Sequence, residues 1–155
     1  MSTKPYIVYP NTAKSVEVGQ LGAVVNMCYI NEPGQVSFGA IDYVPGWFIA
    51  THHHRTWELI IIDNSSDGPG YTFFDECWWR ADKGSGIFFP KGFPHAWSAG
   101  AMYGFKMLWI YGGSHEEAGR IYDIAPQTFQ PITPEEERAA LTWTPEMEWR
   151  RALKH

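Results

Sequence analysis

Three consecutive histidines, His52-His53-His54, with Glu58 four residues after the last, stand just before the apolar run Leu59-Ile60-Ile61-Ile62. Imidazole nitrogens and carboxylate oxygens are the donors that proteins offer to divalent metal ions. Side chains alternate along a strand, so His52 and His54 share one face and His53 takes the other. Two strand residues rise about 6.6 Å. Across that span two imidazoles tilt toward one ion lying roughly 2.0–2.2 Å from each nitrogen. Glu58 has the same parity, and its carboxylate joins them if the strand continues or turns gently. Two histidines and a carboxylate with open positions suit non-haem Fe(II), while Zn, Mn, Ni and Co accept the same donors. A histidine run by itself is as readily a solvated surface patch, so the surrounding chain has to decide. His53 is expected to face solvent or support its neighbours, not to bind the ion.

The elements that would hold such a cluster are short strands. Fifteen Gly and eleven Pro punctuate the chain, and the runs between them are rich in Val, Ile, Phe, Tyr and Trp. The pattern predicts strands at Pro5–Tyr9, Ala23–Ile30, Gln35–Tyr43, Trp47–His54, Glu58–Asn64, Tyr71–Arg80, Ser85–Pro90, His95–Ser98 and Met102–Tyr111. Asn31-Glu32-Pro33-Gly34 and Asp67-Gly68-Pro69-Gly70 carry turn chemistry. Many short strands with regular turns predict an all-β sandwich, jelly roll or small barrel. Two stretches near the end, Thr133-Pro134-Glu135-Glu136 and Thr144-Pro145-Glu146, put a cap, a proline and acids in the order that starts a helix. The expectation is one domain over residues 1–155, with a barrel over about residues 20–112 and a helical extension over about 113–155.

Composition narrows the function classes. The formal net charge is −5 and no basic block occurs, which argues against a nucleic-acid partner. The first twenty residues carry no apolar signal core, and no apolar run approaches membrane-spanning length. Cys28 and Cys77 have neither metal nor redox spacing, so two reduced thiols in a cytoplasmic protein are expected. Eight Trp, eight Tyr and nine Phe exceed what a core of this size requires, so some are expected to line a cavity or an interface.

Glycines frame two blocks. Gly46 to Glu58 reads G-x5-H-x-H-x3-E, and Gly84 to His95 reads G-x5-P-x-G-x2-H. The blocks GWFIATHHHRTWE and GSGIFFPKGFPH resemble the two signature motifs of the cupin superfamily. The resemblance spans about residues 46 to 95 and implies a single small antiparallel barrel, a monocupin, with the metal inside it. It implies His52, His54, Glu58 and His95 as ligands of one divalent ion per chain, with Fe(II) favoured and Zn, Ni or Mn as alternatives. Pro90 and Gly92 would form the turn that admits His95 from a strand remote from His52. Ser65 and Ala99 stand where the family often has Gly and Asn, a departure that bears on turn geometry. Small cupins often pair, so a homodimer is expected by the same resemblance.

Strand parity proposes a lining for the pocket: Phe48, Ile60, Trp97, Phe105, Met107 and Trp109. Each aromatic taken singly is more readily plain core. Together they suggest a small apolar or planar substrate. Tyr103 is a candidate acid, base or hydrogen-bond donor, and Arg80 a candidate holder of an anionic group. Three functions fit. The favoured one is a non-haem Fe(II) dioxygenase acting on a diketone or hydroxyketone with O2. Many such relatives use histidines alone, whereas Glu58 is present here. The alternative is a non-redox cyclase, isomerase or lyase, polyketide-cyclase-like, in which the ion acts as a Lewis acid. The third is a non-catalytic ligand-binding cupin, with no DNA-binding segment in view and few polar groups for a sugar.

Overall fold

The computed structural model describes residues 14–15, 25–122, 132–142 and 150–152. Its strands are β1 (Lys14–Ser15), β2 (Val25–Glu32), β3 (Val36–Tyr43), β4 (Phe48–His52), β5 (Glu58–Ile62), β6 (Gly70–Phe74), β7 (Cys77–Ala81), β8 (Gly86–Phe89), β9 (His95–Ala99), β10 (Phe105–Tyr111) and β11 (Arg150–Ala152). Two short helices, α1 (His115–Ala118) and α2 (Pro134–Leu141), follow β10. One sheet runs β1-β2-β3-β10-β5-β8 and the other β11-β7-β6-β9-β4, every pair antiparallel. Strands distant in sequence lie side by side, β3 with β10 and β4 with β9, so the chain passes repeatedly between sheets. This is an all-β jelly-roll arrangement, as the strand and turn pattern predicted.

Alternation explains which residues fill the interior. Phe105, Met107, Trp109 and Tyr111 of β10 are buried, while Lys106 on the opposite face is exposed. They meet Ile41, Ile60 and Ile62 from their own sheet and Ile49, Trp97 and Ala99 from the facing one in a single hydrophobic cluster. Among the described residues no helix is long and apolar enough to cross a membrane.

Four local features depart from the sequence reading. Tyr71–Arg80 is a hairpin, with Phe74 paired to Cys77 around Asp75 and Glu76 at φ 49° and 62°. Both turn residues are left-handed, the conformation a two-residue hairpin needs, yet neither is the Gly or Asn that usually announces one. Strand β10 starts at Phe105, not Met102. Helix α1 was not anticipated; a capping box between Ser114 and Glu117 starts it. Residues 150–152 form a strand on β7, where a helical extension was expected. Helix α2 begins at Pro134 behind the Thr133 cap, as its sequence signals require. The expected strand at Pro5–Tyr9 and the helix start at Thr144 lie outside the described residues.

Helix α2 is pinned to the barrel by polar contacts. The carboxylate of Glu137, fully buried, accepts a hydrogen bond from the Met102 amide at 2.6 Å. Arg80 donates to the Ala140 carbonyl and pairs with Asp82 at 2.8 Å.

Gly39 faces Trp109 across β3 and β10. A Cβ there would lie 2.2 Å from the Trp109 ring and 2.3 Å from the Met27 carbonyl oxygen. Gly39→Ala should therefore cost about 1–3 kcal/mol and lower Tm by several degrees. Gly86→Ala, whose Cβ meets nothing within 4 Å, should shift Tm little. Thermal unfolding of both variants checks the contrast.

Candidate metal centre

The cluster forms where the two sheets face each other at one end. His52 at the end of β4 pairs directly with His95 at the start of β9. His54 lies two residues beyond β4, at the head of a bend that leads to Glu58, the first residue of β5 in the opposite sheet. Glu58 pairs with Tyr111 on one side and Phe89 on the other. All four side chains are buried, none more than 4% exposed. A register shift in β4 between Ile49 and His52 makes this possible. Before it, Trp47 and Ile49 face the core; after it, His52 and His54 do. The bulge changes the phase of the strand by one residue.

Hydrogen bonds fix how the rings present themselves. The Nδ1 atoms of His52 and His95 lie 2.8 Å from the Ala50 carbonyl and 3.0 Å from the Phe93 carbonyl. Nδ1 of His54 meets the carbonyl of Gly119. A carbonyl oxygen only accepts, so each Nδ1 carries the proton and each Nε2 is left with its lone pair. The imidazoles offer ligand atoms that lie within 4.8 Å of one another. Glu58 Oε2 comes to 2.8 Å from His95 Nε2 and 3.5 Å from His54 Nε2. Lone pairs on nitrogen and on a carboxylate oxygen repel at such distances, so a proton or a cation must lie between them.

Charge states agree. Burial, then the neighbouring His95, pushes the imidazole of His52 well below the ordinary value, and burial lowers that of His54 to about 4. Burial alone would raise the carboxyl of Glu58, but the charges of His95, His54 and Arg120 outweigh it and hold the group below the usual range. Buried imidazoles at His52 and His54 pushed toward the neutral form, beside a carboxyl held toward the ionised one, are a donor set that fits a divalent ion.

The sequence matches the family described as AraC-like ligand binding domain over residues 35–147. The chain belongs to that family, and with it to the cupin superfamily. Solved structures of similar fold include the polyketide cyclase RemF from Streptomyces resistomycificus, at TM-score 0.61 and 16% identity, covering 92% of this chain and 96% of that one. A cupin-like protein from Thermotoga maritima reaches TM-score 0.59 at 16% identity, covering 82% and 94% of the two chains. Fe(II) HppE reaches 0.57 at 14% identity, covering 72% and 62%. At such identities the likeness is one of fold. Among curated proteins none matches the sequence.

Within this cupin the other expected site residues divide. Trp97 and Phe105 continue an aromatic path inward from the cluster: His95 stacks on Phe89 at 4.0 Å, Phe89 meets Trp97, and Trp97 meets Phe105. Ile60, Met107 and Trp109 belong to the same buried cluster, with Trp109 stacked on Tyr111 at 5.0 Å. Phe48 does not face the pocket; it precedes the bulge and lies on the opposite face from Ile49. Tyr103 is 43% exposed and sits beyond the far end of β10. The whole of β10, about 20 Å of strand, lies between it and Tyr111. Arg80 is spent on helix α2 and Asp82. Neither Tyr103 nor Arg80 reaches the imidazoles. His53 is not among the three imidazoles that gather, and its backbone pairs with Ile121 through two hydrogen bonds, at 3.1 and 3.0 Å.

Three further groups lie beside the cluster. The ring of Tyr111 lies 4.7 Å from that of His54, and burial and then the charge of Glu58 raise its phenol well above the ordinary value. Tyr122, 52% exposed, places its ring 5.6 Å from His52. Arg120 bears on His52, His54 and Glu58. Tyr111 was legible as an inward residue of β10. Arg120 and Tyr122 follow α1 in a stretch with no strand period, and only the bridge to His53 brings them in.

His54→Ala and His95→Ala should each lose most bound metal in elemental analysis, whereas His53→Ala should keep wild-type content. Acid should also weaken the metal-free fold. The imidazole of His54 titrates near 4 when folded against 6.5 in the free side chain. The unfolded chain binds more protons between those values, so stability falls as pH falls from 6.5 toward 4, by roughly 3 kcal/mol from this group. Urea unfolding of chelator-treated protein across that range, against His54→Ala, reads the contribution.

Proposed function

We propose that this cupin is a metal-dependent enzyme that uses a divalent ion, held by His52, His54, His95 and Glu58, to activate an enolisable carbonyl in a small planar substrate. The observation that carries this reading is the locked tautomer of the imidazoles, each Nδ1 tied to a carbonyl, with the Nε2 atoms of His54 and His95 facing the Glu58 carboxylate. An ion bound there would supply Lewis acidity, polarising the carbonyl oxygen. The chain's own residues do the rest. The aromatic path through Phe89, Trp97 and Phe105 offers flat apolar contact to a conjugated substrate. Glu58, ionised and buried, is the proton acceptor nearest the donors. Tyr111 stays protonated and hydrogen-bonds Glu58, which orients the carboxylate.

Cyclisation, isomerisation or elimination is the reaction class this arrangement serves best. Support comes from the carboxylate among the donors and from the near full-length fold likeness to a polyketide cyclase. The dioxygenase reading that the sequence alone favoured remains the second one. Four protein donors leave two positions on a six-coordinate ion, and one neighbour of similar fold is an Fe(II) protein.

One experiment separates them. Protein reconstituted anaerobically with Zn or Fe(II) is incubated in D2O with an aromatic hydroxyketone and followed by NMR. The expected result is metal-dependent exchange of the α-proton without oxygen, reduced about 100-fold per bound metal ion in Glu58→Gln. No anaerobic exchange, but oxygen uptake with Fe(II) alone, would transfer the assignment to the dioxygenase. Tight binding of the ketone with neither reaction would leave a ligand-binding module.

A further inference from the structure

The stretch after α1 crosses the mouth of the cluster. Arg55 donates its amide to the Ala118 carbonyl at 2.8 Å, the backbones of His53 and Ile121 pair, and Gly119 anchors His54. Arg120 sits between these two attachments, and so its side chain is delivered to the site from outside both sheets. Its guanidinium hydrogen-bonds Tyr122 at the rim, and its charge acts on Tyr43, Tyr111, His52, His54 and Glu58. Its Nε is buried with no hydrogen-bond partner among the described residues.

Other donors along the aromatic path share that condition. The Tyr43 hydroxyl and the indole N–H groups of Trp47 and Trp97 are buried without a partner among the described residues. Tyr43 packs on Trp47 at 4.3 Å and on Phe105 at 4.6 Å, and Phe105 meets Trp97, so these donors lie together in the buried aromatic cluster. Buried donors that no protein oxygen satisfies are costly unless a ligand satisfies them. An arginine among them selects for negative charge on that ligand. The chain's formal net charge of −5 repels anions at long range, so affinity for an anion has to come from a local cation.

We propose that Arg120 is the anion-binding residue of the pocket: it takes the charged oxygen of a small conjugated organic anion, a carboxylate or an enolate, with the Tyr43 hydroxyl as second donor. This deepens the enzymatic reading by naming the substrate's charge, and it rests on that reading for the identity of the pocket. In the metal-dependent reaction Arg120 would position the substrate and hold negative charge as it develops on oxygen.

Benzoate and its neutral isostere benzamide are suitable probes, read by quenching of tryptophan fluorescence in metal-free and in Zn-loaded protein. Wild type should bind benzoate more tightly than benzamide. Arg120→Gln should weaken benzoate by about ten- to a hundredfold and leave benzamide within about twofold. Arg120→Lys should recover part of the loss. Arg138→Gln, which removes an equal charge on the exposed face of α2, should change neither probe. Equal losses for both probes, an unchanged benzoate affinity, no benzoate binding by wild type, or an equal effect of Arg138→Gln would each overturn the assignment. Failure to take up Zn, with the Arg120 effect intact in metal-free protein, would instead overturn the metal-enzyme reading alone.

Discussion

A proton on each Nδ1 decides everything else at this centre. A backbone carbonyl beside each ring fixes the tautomer, and the tautomer turns a buried imidazole into a directed lone pair. Those lone pairs meet a carboxylate in an interior from which water is excluded, an arrangement that is unfavourable without a positive charge to share. The carbonyls come from β4 itself, from the turn ahead of β9 and from the segment after α1, so three separate parts of the chain must be in place before the donors converge.

The sheets supply the frame. His52 and His95 belong to one sheet and Glu58 to the other, so the cluster lies across the interface between them. The bulge in β4 lets one strand serve two purposes. Trp47 and Ile49 ahead of it enter the core, and past it the histidines turn to the same side. An unbroken strand with Ile49 inward would send His52 and His54 out to solvent.

Much of this was readable from residues. The parity of His52, His54 and Glu58, and the glycine-framed blocks that end in His95, marked the residues that converge. The alternation in β10 marked its inner face from Phe105 to Tyr111. What escaped had physical reasons. Parity counted back from His52 puts Phe48 inward, but a bulge that no residue type announces intervenes. The β6–β7 hairpin was missed because Asp75 and Glu76 occupy left-handed positions without a glycine. Arg80 was assigned by charge alone, and tertiary structure spends that charge on the carbonyl end of α2. Arg120 left no periodic trace because a bridge between distant backbones, not an element of its own, sets its position.

The carbonyl of Gly119 has one further consequence. It belongs to a segment 65 residues downstream of the ring it anchors, and that segment also carries the arginine and the tyrosine at the rim. The orientation of the His54 ring therefore depends on where that segment sits, and the segment is held by the backbone bonds of Arg55 to Ala118 and of His53 to Ile121 as well. A change in the loop after α1 would reach the metal ligands without touching either sheet.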